Sequence, residues 1–283
     1  MTVRLLGQDA SGLEAAGVDA GLLSEIEGWA QRAVVRPPGA PVIDAHVHLG
    51  TDRDGHALSP ADLIADMDAN GITAAIAFPA DEPGPDGDFV VANDAVARAA
   101  AEHPERIVAF CRLDPSRPFT DALDAAGAAG ARGLKLHPVA QRFRPESDGC
   151  IACVREATDR GWPVLFHAGF GARALAPAFS ALLDAVPDAR IIFAHGGRGD
   201  HRALAAVTAG HAGTLFDTSS AALPDLVTLP PERIAFASDR PYGDHAQALQ
   251  LVGSAARVAG WDEASMRAIL GGNILRWVGP VRS

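Results

Sequence analysis

Two histidines, His46 and His48, lie two residues apart just after the short apolar segment PVI at residues 41–43. Alternate side chains of a strand point to the same face, so both imidazoles can approach one metal ion if this segment is a strand. Neutral imidazole is the commonest protein metal ligand, and its second ring nitrogen needs a partner of its own. Asp44 either supplies that partner or braces the adjoining loop.

Four later apolar segments also end in side chains that bind metals or move protons. These side chains are Lys135 with His137, His167, His195 and Asp239. A carboxylate at the position of Asp239 can bind a metal through one oxygen and take a proton from water with the other. We predict that His195 is a base that activates water or orients the reacting carbonyl, with direct ligation as the alternative. Five strand ends that converge on one point predict a barrel with a metal at its mouth.

Lys135 is the only lysine in the chain, against 23 arginines. A lysine, unlike an arginine, can lose its charge when buried or react with carbon dioxide to give an anionic carbamate. Lys135 is therefore predicted to be a carbamate that bridges two metals or a cation that holds the substrate; a buried ion pair is the structural alternative. His137 shares its strand face and is predicted to orient a substrate carbonyl or to form part of the wall.

Candidate substrate contacts follow these strand ends. Arg142 and Arg144 lie in the loop after the fourth strand and could grip a substrate carboxylate, with plain surface placement as the alternative. Arg240 and Tyr242 directly follow Asp239 and are candidates for the same reason. The expected partner is a small-molecule substrate.

The elements that must position these residues alternate regularly along the chain. Short, continuous apolar segments predict eight parallel strands buried on both faces, at residues 42–48, 72–79, 106–113, 132–137, 163–168, 190–195, 214–218 and 233–239. Amphipathic segments predict helices at residues 60–69, 89–102, 119–129, 149–160, 172–186, 200–209, 219–228 and 244–257.

Eight such units predict an α/β fold, a (β/α)8 TIM barrel, over residues 41–283. An open doubly wound sheet is the alternative, but it gives no reason for reactive side chains at so many strand ends. Residues 1–40 are predicted to form an N-terminal helical extension and linker, with a helix at 11–33 that caps the barrel bottom or makes a subunit contact, as in a homodimer. A last helix is predicted from Asp262 to Trp277, ending near residues 271–273.

Composition argues against several classes of function. The net charge of −11 and the lack of a basic cluster disfavour nucleic-acid binding. The apolar segments are far shorter than the roughly 20 residues that cross a bilayer, so no membrane association is expected. The N-terminus shows no charged leader before an apolar stretch, and three cysteines fit a reducing compartment, so we expect a cytoplasmic protein.

The reactive segments, taken in order, resemble the motifs of the amidohydrolase superfamily and, more closely, of its second amidohydrolase family. The segments are DAHVH at 44–48, KLHP at 135–138, FHAG at 166–169, AHGG at 194–197 and SDRPYG at 238–243. That branch holds aminocarboxymuconate semialdehyde decarboxylase, related aromatic-acid decarboxylases, and lactonases that act on pyrones and sugar lactones. The resemblance covers residues 42–277 and implies a distorted barrel that carries a metal. It also implies ligand roles for His46, His48, His167 and Asp239, and a catalytic role for His195.

Members of this branch typically bind one divalent ion, often zinc, without a lysine carbamate. We therefore expect one zinc ion, or two if Lys135 is carbamylated. The expected activity is hydrolysis of an amide, ester or lactone in a small carboxylate-bearing or cyclic substrate. The alternative is nonoxidative decarboxylation of a small unsaturated or aromatic acid. A catalytically inactive barrel that serves as a scaffold is disfavoured, because no ligand position is missing.

Overall fold

The computed structural model describes residues 35–80 and 88–281, together with six single positions between residues 19 and 28. Most of the helix predicted at 11–33, and most of the proposed extension, lies outside the described residues. In the described part of the chain, no helix combines the length and apolar character needed to cross a bilayer.

The strands and helices follow the predicted order, with a short strand at 57–58 and a short helix at 138–141 added. The strands are β1 (Ile43–Thr51), β2 (Ala57–Leu58), β3 (Ala74–Pro79), β4 (Ile107–Ala109), β5 (Cys111–Arg112), β6 (Leu134–Leu136), β7 (Val164–Phe166), β8 (Ile191–Phe193), β9 (Thr214–Asp217) and β10 (Ile234–Ala235). The helices are α1 (Pro60–Asn70), α2 (Val90–Glu102), α3 (Thr120–Ala128), α4 (Pro138–Gln141), α5 (Asp148–Asp159), α6 (Leu175–Ala185), α7 (His201–Val207), α8 (Leu223–Leu226), α9 (His245–Ala259), α10 (Glu263–Arg267) and α11 (Asn273–Val278).

All pairings are parallel except that of β2, which pairs antiparallel with the end of β1. The strands lie in two sheets, in the orders β2-β1-β3-β4 and β10-β9-β8-β7-β6-β5. Phe110 connects the sheets, because its N–H donates to Ala77 O at 2.9 Å while the next N–H, of Cys111, donates to Gly133 O at 2.9 Å. One predicted strand, 106–113, therefore passes from the first sheet to the second.

The second junction joins the last strand to the first. The N–H of Ala45 donates to Phe236 O at 2.9 Å, and the N–H of Asp239 donates to His46 O at 2.9 Å. Residues that follow β10 thus lie beside β1, and the eight strand positions form the ring that a TIM barrel requires. The predicted barrel is confirmed.

Local signals explain where most elements begin and end. The Ser59 hydroxyl accepts from the N–H of Asp62 at 3.1 Å, Pro60 occupies the first turn of α1, and Gly71 ends it with φ 61°. The tail differs from the prediction of one helix ending near residues 271–273. There the chain continues through the glycine pair as a π-helical turn (Ala268–Gly272) and enters α11.

Side chains of the strands alternate between the barrel interior and the helices outside. In β3, Ile76 and Phe78 fill the interior, whereas Ala75 and Ala77 face the outer core. β1 departs from this alternation, because its pairing with β3 shifts register between Asp44 and Val47. An extra residue of this kind is a β-bulge, which re-aims the side chains that follow it.

Candidate metal centre and active site

Three side chains meet at the carboxyl end of the barrel. His46 Nε2 lies 3.1 Å from His48 Nε2, and both nitrogens approach Asp239 Oδ1, at 3.1 and 3.3 Å. In a tetrahedral site with bonds of about 2.1 Å, neighbouring ligand atoms lie about 3.4 Å apart, so this spacing fits one shared cation. The prediction that His46 and His48 share one face is confirmed, and these three residues could hold a metal ion.

The chemistry of this group also suits a cation. The side chain of His46 is fully buried, and burial lowers its pKa well below the usual value, with the positive charge of Lys135 adding to the effect. The imidazole is therefore neutral at physiological pH and offers a lone pair. Two imidazole nitrogens and a carboxylate oxygen are donors that zinc and other divalent transition metals accept.

Asp239 reaches the group through a constrained loop. Its backbone has φ 65°, in the left-handed region, so the strand predicted to run to residue 239 leaves the extended conformation before that point. The loop returns on itself at Gly243, whose N–H donates to Asp239 O at 2.8 Å. A side chain is excluded at Gly243, because a Cβ there would lie 1.9 Å from Ser238 O.

Asp217, at the end of β9, is a site residue that the sequence reasoning missed. Its Oδ2 accepts from His46 Nδ1 at 2.7 Å, and its Oδ1 accepts from the N–H of His195 at 2.8 Å. The side chain is completely buried, which raises its pKa, whereas the hydrogen bonds from the Ser219 hydroxyl and the His195 N–H lower it because they favour the carboxylate form. A signal was present, since Asp217 ends the seventh predicted strand just as Asp239 ends the eighth.

Asp44 has the second of its two predicted roles. Its Oδ1 accepts from the N–H groups of His46 and Ser238, each at 3.0 Å, and its Oδ2 accepts from the Ser238 hydroxyl and from His245 Nε2. Asp44 therefore connects the two segments that carry the proposed metal ligands, while Asp217 contacts the ring of His46.

His245 forms a buried charged contact beneath this brace. Nε2 of His245 lies 2.9 Å from Asp44 Oδ2, and its Nδ1 lies 2.9 Å from Asp66 Oδ2. Burial alone would lower the pKa of His245, but hydrogen bonds to the two carboxylates raise it to about 9. The imidazolium is therefore the form that stabilises the fold.

We expect the free energy of unfolding to fall as the pH rises from 6.5 to 9. The folded-state pKa lies above the unfolded value, so the stabilisation is complete below pH 6.5 and is lost as the pH passes the folded pKa. At about 1.4 kcal/mol per pKa unit, the loss is roughly 3 kcal/mol. Urea unfolding across this range measures it. His245→Gln should flatten the slope, and an unchanged slope in that variant would contradict the assignment.

His195 follows β8 in a turn with φ 58°, so the strand predicted to end at this residue has already left the extended form. Burial lowers the pKa of His195 to about 3, although the charge of Asp239 opposes that shift. The ring is therefore neutral near pH 7. Its Nδ1 lies 3.1 Å from Ser219 Oγ and 3.9 Å from Asp239 Oδ2. Gly169 admits the ring, because a Cβ there would lie 2.4 Å from His195 Cδ2.

His167 lies beside the three-residue group rather than within it. Its Nδ1 is 3.2 Å from His195 Nε2, and its Nε2 is 2.9 Å from Phe170 O. The ring also stacks on His137, with centroids 3.8 Å apart and planes at 11°. The structure thus brings His167 and His137 to the barrel mouth and directs both nitrogens of His167 to other partners.

Lys135 is fully buried and belongs to the same cluster. Its Nζ lies 3.3 Å from His46 Nε2 and 4.7 Å from the centroid of the Phe78 ring. The sole lysine therefore lies against the Nε2 atom of His46, and its proposed role as a carbamate or a substrate contact stays a prediction.

The candidate substrate residues separate into two sets. Arg142 and Arg144 are exposed, and Arg144, with 82% of its side chain accessible, pairs with Glu146. Arg240 pairs instead with Asp66 at 2.8 Å. The ring of Tyr242 lies edge-on to His48, with centroids 5.0 Å apart, and the Tyr242 hydroxyl donates to Asp52 at 2.8 Å.

Tyr242 thus lies at the rim of the proposed site, whereas Arg142 and Arg144 point to solvent. Phe170, which the sequence reasoning did not select, lies at the same rim. Its side chain is 64% exposed, its ring centroid is 6.5 Å from that of His195, and Arg198 Cζ lies 4.8 Å from its centroid.

Comparisons with known proteins agree with this architecture. A family model described as amidohydrolase matches residues 43–279. Similar solved structures include a probable 2-pyrone-4,6-dicarboxylic acid hydrolase from Acinetobacter baumannii, at 15% identity and TM-score 0.62, covering 84% of this chain and 99% of that one. No curated protein matches the chain.

Two further similar structures are 5-carboxyvanillate decarboxylases. The enzyme from Sphingomonas paucimobilis has 16% identity and TM-score 0.63, with 85% of this chain and 99% of that one covered. The enzyme from Novosphingobium aromaticivorans, complexed with manganese and 4-hydroxy-3-methoxy-5-nitrobenzoic acid, has 17% identity and TM-score 0.66, with 87% and 99% covered. The TM-scores show that these proteins share a fold with this chain, and at identities this low they show the fold alone.

Proposed function

Since the chain belongs to the amidohydrolase family, whose model spans residues 43–279, we propose that it is a metal-dependent hydrolase. Its substrate would be a small carboxylate-bearing or cyclic amide, ester or lactone. The observation that carries this proposal is the convergence of His46, His48 and Asp239 within 3.3 Å of one another, beside the neutral ring of His195.

We propose one zinc ion at this group. When bound, such a cation supplies Lewis-acid activation of water and of the carbonyl under attack. His46 and His48 would bind it through Nε2, and Asp239 through Oδ1. His167 is the proposed fourth ligand, a role that requires one of its nitrogens to leave its present hydrogen bond with His195 or Phe170.

The protein's own residues would manage the protons. Asp239 keeps Oδ2 free of the proposed metal contact, and this oxygen would take the proton from water. His195 Nδ1 lies 3.9 Å from it. The neutral His195, whose protonation is favoured by the nearby charge of Asp239, would act as a general base and then as a general acid toward the leaving group. Burial excludes bulk water from these groups and strengthens their electrostatic interactions.

Nonoxidative decarboxylation on the same residues is the second candidate. The observations that favour it are the similarity to 5-carboxyvanillate decarboxylases and the exposed Phe170 ring beside His195, which offers a stacking surface for an unsaturated or aromatic acid. A panel of lactones, amides, esters and aromatic carboxylates, assayed for acid release and for carbon dioxide, separates the two. Release of neither product by the metal-loaded protein would favour a scaffold.

Removal of the metal should lower both activity and stability. A ligand that binds only the folded state stabilises it by about 4 kcal/mol when present at about 1,000 times its Kd, so chelation should lower the Tm by several degrees. Differential scanning calorimetry with and without chelator, followed by zinc or manganese addition, measures the change. A Tm that changes neither on chelation nor on metal addition would contradict the proposal.

Metal stoichiometry then tests the part of Lys135. One ion per chain agrees with a lysine that orients the substrate, whereas two ions, with an intact mass increased by one carbon dioxide, indicate the carbamate. Lys135→Arg is the matched variant, because it keeps the positive charge but cannot form the carbamate.

A further inference from the structure

We infer that Asp217 is a positioning residue that holds both the proposed metal ligand His46 and the proposed base His195, so that one carboxylate sets the geometry of both halves of the site. This inference rests on the proposed function, because it assigns a part to another residue of the same site. Asp217 lies at the end of β9, 171 positions from His46 in sequence.

The first half concerns the tautomer of His46. Asp217 Oδ2 lies 2.7 Å from Nδ1 of His46, and both side chains are completely buried. A carboxylate only accepts hydrogen bonds, so Nδ1 carries the proton and Nε2 keeps its lone pair. The Nε2 atom lies 3.1 Å from both His48 Nε2 and Asp239 Oδ1. Asp217 therefore directs the ligating nitrogen of His46 toward the cluster.

The second half concerns the turn that carries His195. Asp217 Oδ1 accepts from the N–H of His195 at 2.8 Å, from the N–H of Ser219 at 3.0 Å and from the Ser219 hydroxyl at 2.6 Å. A non-glycine residue with φ 58° is strained, by about 1–2 kcal/mol, and persists only where its surroundings hold it. Ser219 Oγ in turn lies 3.1 Å from His195 Nδ1, so the same carboxylate oxygen holds the backbone and, through Ser219, the ring.

The need for a carboxylate follows from the donors around it. Both oxygens of Asp217 are acceptors, one for His46 and the other for His195 and Ser219. An asparagine offers one acceptor oxygen and an NH2 group, so Asp217→Asn must turn its NH2 toward donors on one side or the other. Asp44 cannot substitute, because it accepts from the backbone of His46 and not from its ring.

The test is zinc binding to the metal-free protein, measured by titration against a competing chelator. Loss of a partner behind a metal ligand typically weakens metal affinity by about 10–100-fold, and we expect that loss in Asp217→Asn. Asp217→Glu keeps two acceptor oxygens and should recover part of the affinity.

Thr218→Val is the matched control. Its hydroxyl is buried next to Asp217 and, among the described residues, exchanges hydrogen bonds with the backbone of Ala237, donating at 3.1 Å and accepting at 2.8 Å. This variant should lose stability while its zinc affinity stays within about twofold of wild type. An equal loss of affinity in Thr218→Val would show general loosening of the turn and overturn the inference.

A second readout does not depend on whether the variant folds. Nitrogen-15 NMR of the wild-type histidine rings should show the His46 proton on Nδ1, and a proton on Nε2 would overturn the inference. Zinc affinity equal to wild type in a folded Asp217→Asn would also overturn it and leave the proposed function intact. A wild-type protein that binds no divalent ion would overturn both.

Discussion

Asp239→Asn should reduce turnover by about 10³-fold or more and weaken zinc binding in the same variant. The substitution keeps the shape of the side chain but removes the negative charge that lies 3.1 Å from His46 Nε2 and 3.3 Å from His48 Nε2. It also removes the second oxygen, the proposed proton acceptor 3.9 Å from His195 Nδ1. Metal analysis of the purified variant and steady-state kinetics on whichever substrate the panel identifies measure both effects.

Asp244→Asn provides the control, since it makes the same chemical change five residues along the chain. Asp244 caps α9 by accepting from the N–H of Gln247 at 3.0 Å, and asparagine caps a helix about as well. Metal content and turnover should match the wild type there. Full metal content together with normal turnover in Asp239→Asn would exclude Asp239 from both of its proposed roles.

His195→Asn should separate proton transfer from metal binding. A positioned acid or base contributes about 10²–10⁴-fold to the rate, so we expect kcat to fall by that factor while zinc content stays near that of the wild type. The reason is that His195 contacts the group through Asp239 and Ser219 and is not among the three clustered residues. Parallel measurement of kcat, KM and bound zinc tests this expectation.

His211→Asn is the corresponding control. His211 precedes β9, at the amino-terminal end of the strands and therefore at the opposite end of the barrel from the site. Its loss should leave kcat unchanged. Loss of the metal in His195→Asn would instead indicate that His195 is a metal ligand, which is the alternative to its proposed role as a base.

Asp239→Asn and His195→Asn together also test the choice between hydrolysis and decarboxylation. Hydrolysis needs a group that removes a proton from water, whereas decarboxylation needs one that delivers a proton to carbon after carbon dioxide leaves. A His195 that rests as the neutral ring suits the first task, whereas a protonated ring would suit the second. Carbon dioxide release that survives His195→Asn would therefore point away from this ring as the proton donor.

The sequence by itself determined the barrel and most of the residues at its mouth. The eight short apolar segments and the amphipathic segments between them are local patterns. The spacing of apolar residues along a strand or helix shows which of its faces is buried. The carboxyl ends of those strands must lie at one end of the barrel, so His46, His167, His195 and Asp239 could be expected there. Each predicted strand overlaps an observed one, and the pairings between strands of the ring are parallel.

Only the tertiary structure decided how these residues are paired. The register shift in β1 turns His46 and His48 inward, and the pairing of β9 with β10 places Asp217 where it reaches the His46 ring. Such contacts join residues far apart in sequence, and they depend on strand register and barrel closure, which no local period encodes. The same reason explains why Asp44, the nearest carboxylate in sequence, braces the loop instead of contacting the ring.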